Sequence, residues 1–140
     1  MTKVSELMTR DVKTLRPQDT IATAAKLMAD HDVGAIPVCD GDTLLAMVTD
    51  RDIVVRGVAL GLDGQTTPLS TVMSKDLSTV DEHADVSEVF QEMSARQIRR
   101  MPVINGQKKL VGIVSLGDLA VKDRADDSAV ADSLRDISQP

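Results

Sequence analysis

The sequence predicts an α/β (α+β) fold of two βαββα repeats packed about a pseudo-two-fold axis. Three observations predict it. First, sliding the chain by 65 residues superposes Ser5 on Ser70, Met8 on Met73, Asp11 on Asp76, Thr14 on Thr79, Pro37 on Pro102 and Gly41 on Gly106. After one extra residue near Lys109 the shift becomes 66, and Leu44, Val48, Thr49 and Asp52 meet Leu110, Val114, Ser115 and Asp118. Second, Ile21, Ala24, Ala25 and Met28 follow the i, i+3, i+4, i+7 spacing of one helical face. The same stripe returns as Val86, Val89, Phe90 and Met93. Third, Asp40-Gly41 and Asn105-Gly106 are hairpin signals between apolar runs, again in register.

Each repeat opens with a short strand, over 12–15 or 77–80. A helix follows, over 20–30 or 85–96, with Asp19 or Thr20 as N-cap of the first. The next strand, over 35–39 or 100–104, passes through Pro37 or Pro102. Proline cannot donate to a ladder, so this strand end is expected at an edge. After the turn comes an apolar strand, over 44–48 or 110–114, and then a helix from Asp50 or Leu116. The expected organisation is residues 1–60 as first repeat, 61–69 as linker, 70–123 as second repeat and 124–140 as an acidic tail. In that tail Val130, Leu134 and Ile137 suit a short docking helix, and a frayed end suits it equally. A half of this size has little core by itself, so packing of the two halves is expected, with clefts between them.

Composition narrows the function. The 140 residues carry 16 basic and 22 acidic side chains, a net charge of −6. An acidic surface opposes a phosphate backbone, and Phe90 is the only aromatic on which a base can stack, so no nucleic-acid partner is expected. Cys39 is the single cysteine, so no intrachain disulfide and no cysteine-based zinc motif exist. It is read as a small core residue. His31 and His83 are isolated, and no metal site is predicted. The N-terminal residues 1–6 lack a signal-peptide stretch, and no apolar run approaches the roughly 20 residues of a membrane span. A soluble cytoplasmic protein without membrane association is therefore expected. No phosphate loop, dinucleotide fingerprint or nucleophile elbow is present, so no catalytic residue set is assigned and the chain is read as a non-enzyme.

The chemistry-bearing feature is Val48-Thr49-Asp50-Arg51-Asp52 and its partner Val114-Ser115-Leu116-Gly117-Asp118. Each is a strand end, a hydroxyl residue, two spacers and an aspartate at a helix start. Free N–H groups and a hydroxyl there suit a phosphate, and a carboxylate one turn on suits ribose hydroxyls. The same spacing also suits a capping box with Asp in place of Glu, which needs no ligand.

Together with Gly34-Ala35-Ile36-Pro37-Val38 and Arg100-Met101-Pro102-Val103-Ile104, these motifs resemble a tandem pair of CBS (cystathionine beta-synthase) domains, over about residues 4–122. The run from Thr49 to Val54 and that from Gly57 to Asp63 are similar to stand-alone two-CBS proteins of actinobacteria, the hypoxic response type included. The resemblance implies a regulatory module that binds an adenosyl ligand (AMP, ADP or ATP, with S-adenosylmethionine and NADH also seen in the family) and needs no cofactor. It places Thr49, Asp52, Ser115 and Asp118 on phosphate and ribose, and Thr14 and Thr79 beside the base. It also implies a homodimer. Arg99 and Arg100, with Arg96 nearby, have only Gly34, Ala35 and His31 as first-repeat counterparts. One cleft is therefore expected to suit an anion and the other to be poorer or apolar. The plainer reading of these arginines is a solvated face or pairs with Glu88 and Glu92. The alternative function is a ligand-free dimerising scaffold or stress-response interaction protein with an unknown protein partner.

Overall fold

The computed structural model describes residues 2–122, with side chains described through Leu119. The tail expected over 124–140, with its candidate helix, lies outside the described residues.

The chain builds a mixed α+β fold. Its elements run α1 (Ile21–His31), β1 (Ala35–Asp40), β2 (Thr43–Thr49), α2 (Asp50–Asp52), β3 (Val80–Asp81), α3 (Val86–Arg96), β4 (Arg100–Ile104), β5 (Leu110–Ser115) and α4 (Leu116–Lys122). A π-helical turn, Ile53–Gly57, and a 3-10 turn, Val58–Leu60, continue from α2. Short 3-10 turns also stand at Val4–Glu6 and Leu69–Thr71.

Two compact units form, each with its own apolar core, and neither coincides with a sequence repeat. One gathers residues 13–77. The other joins residues 2–12 to residues 78–122. The cores show the exchange residue by residue. Leu69, Val72 and Met73 are buried with Ile21, Met28, Ile36 and Val48. Their equivalents 65 positions earlier, Val4, Leu7 and Met8, are buried with Val86, Phe90, Met93 and Val114. Each leading segment thus fills the core of the other repeat's unit, where burial of each apolar side chain contributes about 1.5–3 kcal/mol.

In the first unit, Thr20 caps α1 by accepting a hydrogen bond from the Thr23 N–H at 3.2 Å. Two further free N–H groups of that first turn, those of Ile21 and Ala22, donate to the carbonyls of Thr67 and Gly64 at 3.0 and 2.9 Å. The linker therefore closes the helix start. Ile21, Ala24 and Met28 are buried as the stripe predicts, but Ala25 is exposed and Leu27 packs on the core instead. In the second unit the Val86 N–H donates to Thr2 O at 2.9 Å, the counterpart of the Thr67 bond. The stripe Val86, Val89, Phe90 and Met93 is entirely buried.

β1 and β2 pair antiparallel, as do β4 and β5, and both ladders carry a bulge at the same place: Leu45 and Val111 are skipped. The single inserted residue lies in the turn, 105–109 against 40–43. The expected first strand shrinks to its last residues. It is β3 in the second unit, parallel to β4, and in the first a lone parallel bridge from Leu15 to Val38. Pro102 corrects one expectation, whereas Pro37 lies in β1 of the two-stranded sheet β1-β2. β4 is the central strand of β3-β4-β5, not an edge. Pro102 is tolerated there because the parallel ladder starts at Val80↔Val103, one residue past it, so no partner waits for its missing N–H.

Candidate functional site

At the end of β2 the chain enters α2 through a reciprocal cap. Thr49 Oγ1 accepts the Asp52 N–H at 3.0 Å, and Asp52 Oδ2 accepts the Thr49 N–H at 3.0 Å. At the end of β5 the same pair of bonds forms: Asp118 N–H to Ser115 Oγ at 3.0 Å, and Ser115 N–H to Asp118 Oδ2 at 3.2 Å. All four residues are half-buried. The capping reading of the motif is thus realised in both units, and such a cap contributes about 1 kcal/mol. The cap also fixes each hydroxyl and carboxylate in one orientation, with the second carboxylate oxygen and the hydroxyl proton outside these bonds.

The strand beside each cap differs. Arg100 is the register partner of Ser115, and Leu116 N–H donates to Arg99 O at 3.1 Å. Arg99 and Arg100 are exposed, and no ion pair holds either of them among the described residues. In the other unit Ala35 partners Thr49, and Asp50 N–H donates to Gly34 O at 2.9 Å. A Cβ on Gly34 would lie 3.1 Å from Asp50 Oδ2, so the Asp50 carboxylate sits directly against that glycine. Leu116, which replaces Asp50, is buried. One cap therefore has Arg99 and Arg100 beside it, and the other has Asp50 together with Arg51, both exposed.

The other residues singled out from the sequence separate by unit. Thr14 joins Thr49 and Asp52 in the unit of residues 13–77, and it is exposed. Thr79 joins Ser115, Asp118, Arg99 and Arg100 in the other unit, and it is half-buried. Arg96 takes the plainer role: its Nε pairs with Glu92 Oε1 at 2.9 Å, and its Nη1 donates to Ser78 Oγ. Glu88 forms no ion pair with these arginines among the described residues. Sequence reasoning missed Asp50. Its signal was the broken match at the repeat shift, Asp50 on Leu116, within a motif otherwise kept.

A half-buried hydroxyl and aspartate thus stand at both strand ends, and known proteins share the repeat. The CBS domain model matches twice, over residues 4–57 and 69–123. The chain belongs to the CBS domain family. It is 46% identical over 138 residues to the CBS domain-containing protein YhcV of Bacillus subtilis, covering 99% of this chain and 96% of that one. It is 40% identical to Hypoxic response protein 1 of Mycobacterium tuberculosis, covering 86% of this chain and 84% of that protein. The crystal structure of Hypoxic Response Protein I, described with two coordinated zinc ions, aligns with a TM-score of 0.77 over 86% of this chain and 98% of that one. The CBS domain pair of protein MJ0100, solved with 5-methylthioadenosine and S-adenosyl-L-methionine, is 26% identical with a TM-score of 0.72, covering 86% and 94%.

Among the described residues no group of three or more His, Cys, Asp or Glu stands together to hold a metal. Cys39 is buried in β1. Burial first, and the Asp42 carboxylate second, push its thiol above the ordinary range, which keeps the thiolate scarce at neutral pH. Among the described residues no helix is long and apolar enough to cross a membrane.

Proposed function

We propose that this chain is a cytoplasmic, non-catalytic regulatory module that binds an adenosyl ligand of the AMP, ADP or ATP class at its hydroxyl–aspartate caps. The observation that carries the reading is the repetition of the cap at both strand ends with Arg99 and Arg100 exposed beside only one of them. Ser115 and the arginines take the phosphate, Asp118 accepts from the ribose, and Thr79 of the same unit lies beside the base, as Thr14 does for Thr49 and Asp52. The adenosyl ligands in the MJ0100 pair support the class of ligand. A ligand of this kind signals by its differential affinity for two arrangements of the module, and an unidentified partner protein reads the change.

A nucleotide panel in a thermal-unfolding assay tests it. AMP, ADP or ATP at about 100 times its dissociation constant stabilises by about 2.7 kcal/mol. No shift with these or with S-adenosylmethionine and NADH removes the adenosyl reading.

A second reading, a dimerising scaffold, has its own observation. Val54, Val55, Val58, Leu60 and Leu62 are all exposed within nine residues, Val58 and Leu60 at 67% and 70%. Such a patch calls for cover, and a second copy of the chain is the cover this reading supplies. Light scattering at twice 15.0 kDa supports the homodimer, and a 15.0 kDa species alone removes it.

A further inference from the structure

The exchanged leading segments have a consequence for how the two units communicate. Thr9 and Ile113 trade two backbone hydrogen bonds, at 2.8 and 2.9 Å, two residues before Ser115 on β5. After five intervening residues, Leu15 is bonded into the other unit: its N–H donates to Pro37 O at 3.1 Å, and the Cys39 N–H donates to Leu15 O at 2.8 Å. The second repeat has the mirror wiring. Ser74 and Met47 trade two bonds, at 2.8 and 3.0 Å, two residues before Thr49. After five more residues, Val80 pairs with Val103 of β4. The chain thus leaves a residue bonded to the strand that ends in one cap and, after five residues, pairs with β1 or β4 of the other unit. Thr14 and Thr79 are the last residues of these two connections.

We propose that residues 10–14 and 75–79 are ties that pass a change at one cap-bearing strand to β1 or β4 of the other unit. The proposal rests on the adenosyl reading only in taking the caps as ligand sites; the tie itself needs no ligand. Five residues span at most about 18 Å. Both ends are held by paired backbone bonds, each contributing about 0.5–1.5 kcal/mol net. Within the first tie Val12 N–H donates to Arg10 O at 3.1 Å, and four of its five residues are exposed. Little competes with its two anchors for control of its path.

Gly112 supplies the handle. A Cβ there would meet Met8 Sδ at 2.6 Å and the Thr9 carbonyl oxygen at 2.8 Å, so Gly112→Ala pushes directly on the anchor. At the equivalent position of the other unit the chain carries Ala46, fully buried, so the strand itself accepts alanine.

Amide hydrogen exchange of the full chain, free of any nucleotide, tests the tie, with Ala24 in α1 as internal reference. In Gly112→Ala, protection is expected to fall at Thr9 and Ile113, and also at least tenfold at Leu15 and Cys39 in the other unit. Adding Gly-Ser-Gly-Ser between Val12 and Lys13 to the same variant is expected to return Leu15 and Cys39 to parent protection while Thr9 and Ile113 stay exposed to exchange. Unchanged Cys39 protection in Gly112→Ala overturns the proposal, and so does a loss at Cys39 that survives the insertion. If Gly112→Ala does not fold, Thr9→Pro, which deletes the Thr9 N–H donor, is read the same way. A nucleotide panel without shifts leaves these outcomes unaffected, so the two readings fail separately.

Discussion

At the end of β5, Leu116 is buried and Arg99 and Arg100 stand exposed beside Ser115. At the end of β2, Asp50 stands against Gly34, and Ala35 is the register partner of Thr49. The two junctions share the same cap, bond for bond, within 0.2 Å. The backbone work of the motif is thus symmetric and its electrostatics are not. A helix cap needs a hydroxyl and a carboxylate at fixed spacing, and both repeats keep them. A phosphate also needs local positive charge against an overall charge of −6; Arg99 and Arg100 supply it beside the second cap, whereas at the first Arg51 stands between Asp50 and Asp52.

The largest effect bearing on this contrast concerns the arginines. Replacing Arg99 and Arg100 together by alanine is expected to weaken ATP binding by roughly 10- to 100-fold, the scale of one or two charge-assisted hydrogen bonds. Uncharged adenosine is expected to lose far less, and stability to change by no more than about 0.5 kcal/mol, because both side chains are exposed. Calorimetric titration of both ligands reads this. An equal loss for adenosine and ATP breaks the electrostatic half of the contrast.

The caps test the symmetric half. Thr49→Ala and Ser115→Ala are each expected to cost about 1 kcal/mol in urea unfolding. A cost confined to Ser115 would mean that the β2–α2 cap contributes nothing, despite its bond lengths.

The smallest effect concerns Cys39. The folded thiol is pushed up, so the native state holds its proton at pH values where the unfolded chain has lost it. Stability contributed by this group is therefore full at neutral pH and declines as pH rises above the ordinary thiol range. Labelling by a thiol reagent at pH 7 is expected to be much slower in the native protein than in urea. Equal rates would place Cys39 outside the core.

Much of this structure was legible in the chain. The helices at α1 and α3, the hairpins, the inserted turn residue and the hydroxyl–aspartate pairs were all set by local periodicity and turn chemistry, which a sequence displays directly. The exchange of leading segments was not legible. Val4, Leu7 and Met8 match Leu69, Val72 and Met73 equally well whichever core receives them, since the repeats are alike. Pro102 was misplaced because a missing N–H excludes one bond on one side of a strand, and the sequence does not show where the neighbouring ladder begins. Ala25 was counted in the buried stripe because alanine fits either face of a helix. Asp50 was passed over because a repeat draws attention to its matches, whereas the electrostatic contrast lies in a mismatch.

Whether the two caps, equal as structures, are unequal as ligand sites is read from calorimetric titration of AMP into Asp118→Ala and Asp52→Ala. Affinity is expected to fall roughly 10- to 100-fold in Asp118→Ala and clearly less in Asp52→Ala. Equal losses in the two variants would show that the arginines beside Ser115 do not set the ligand's place.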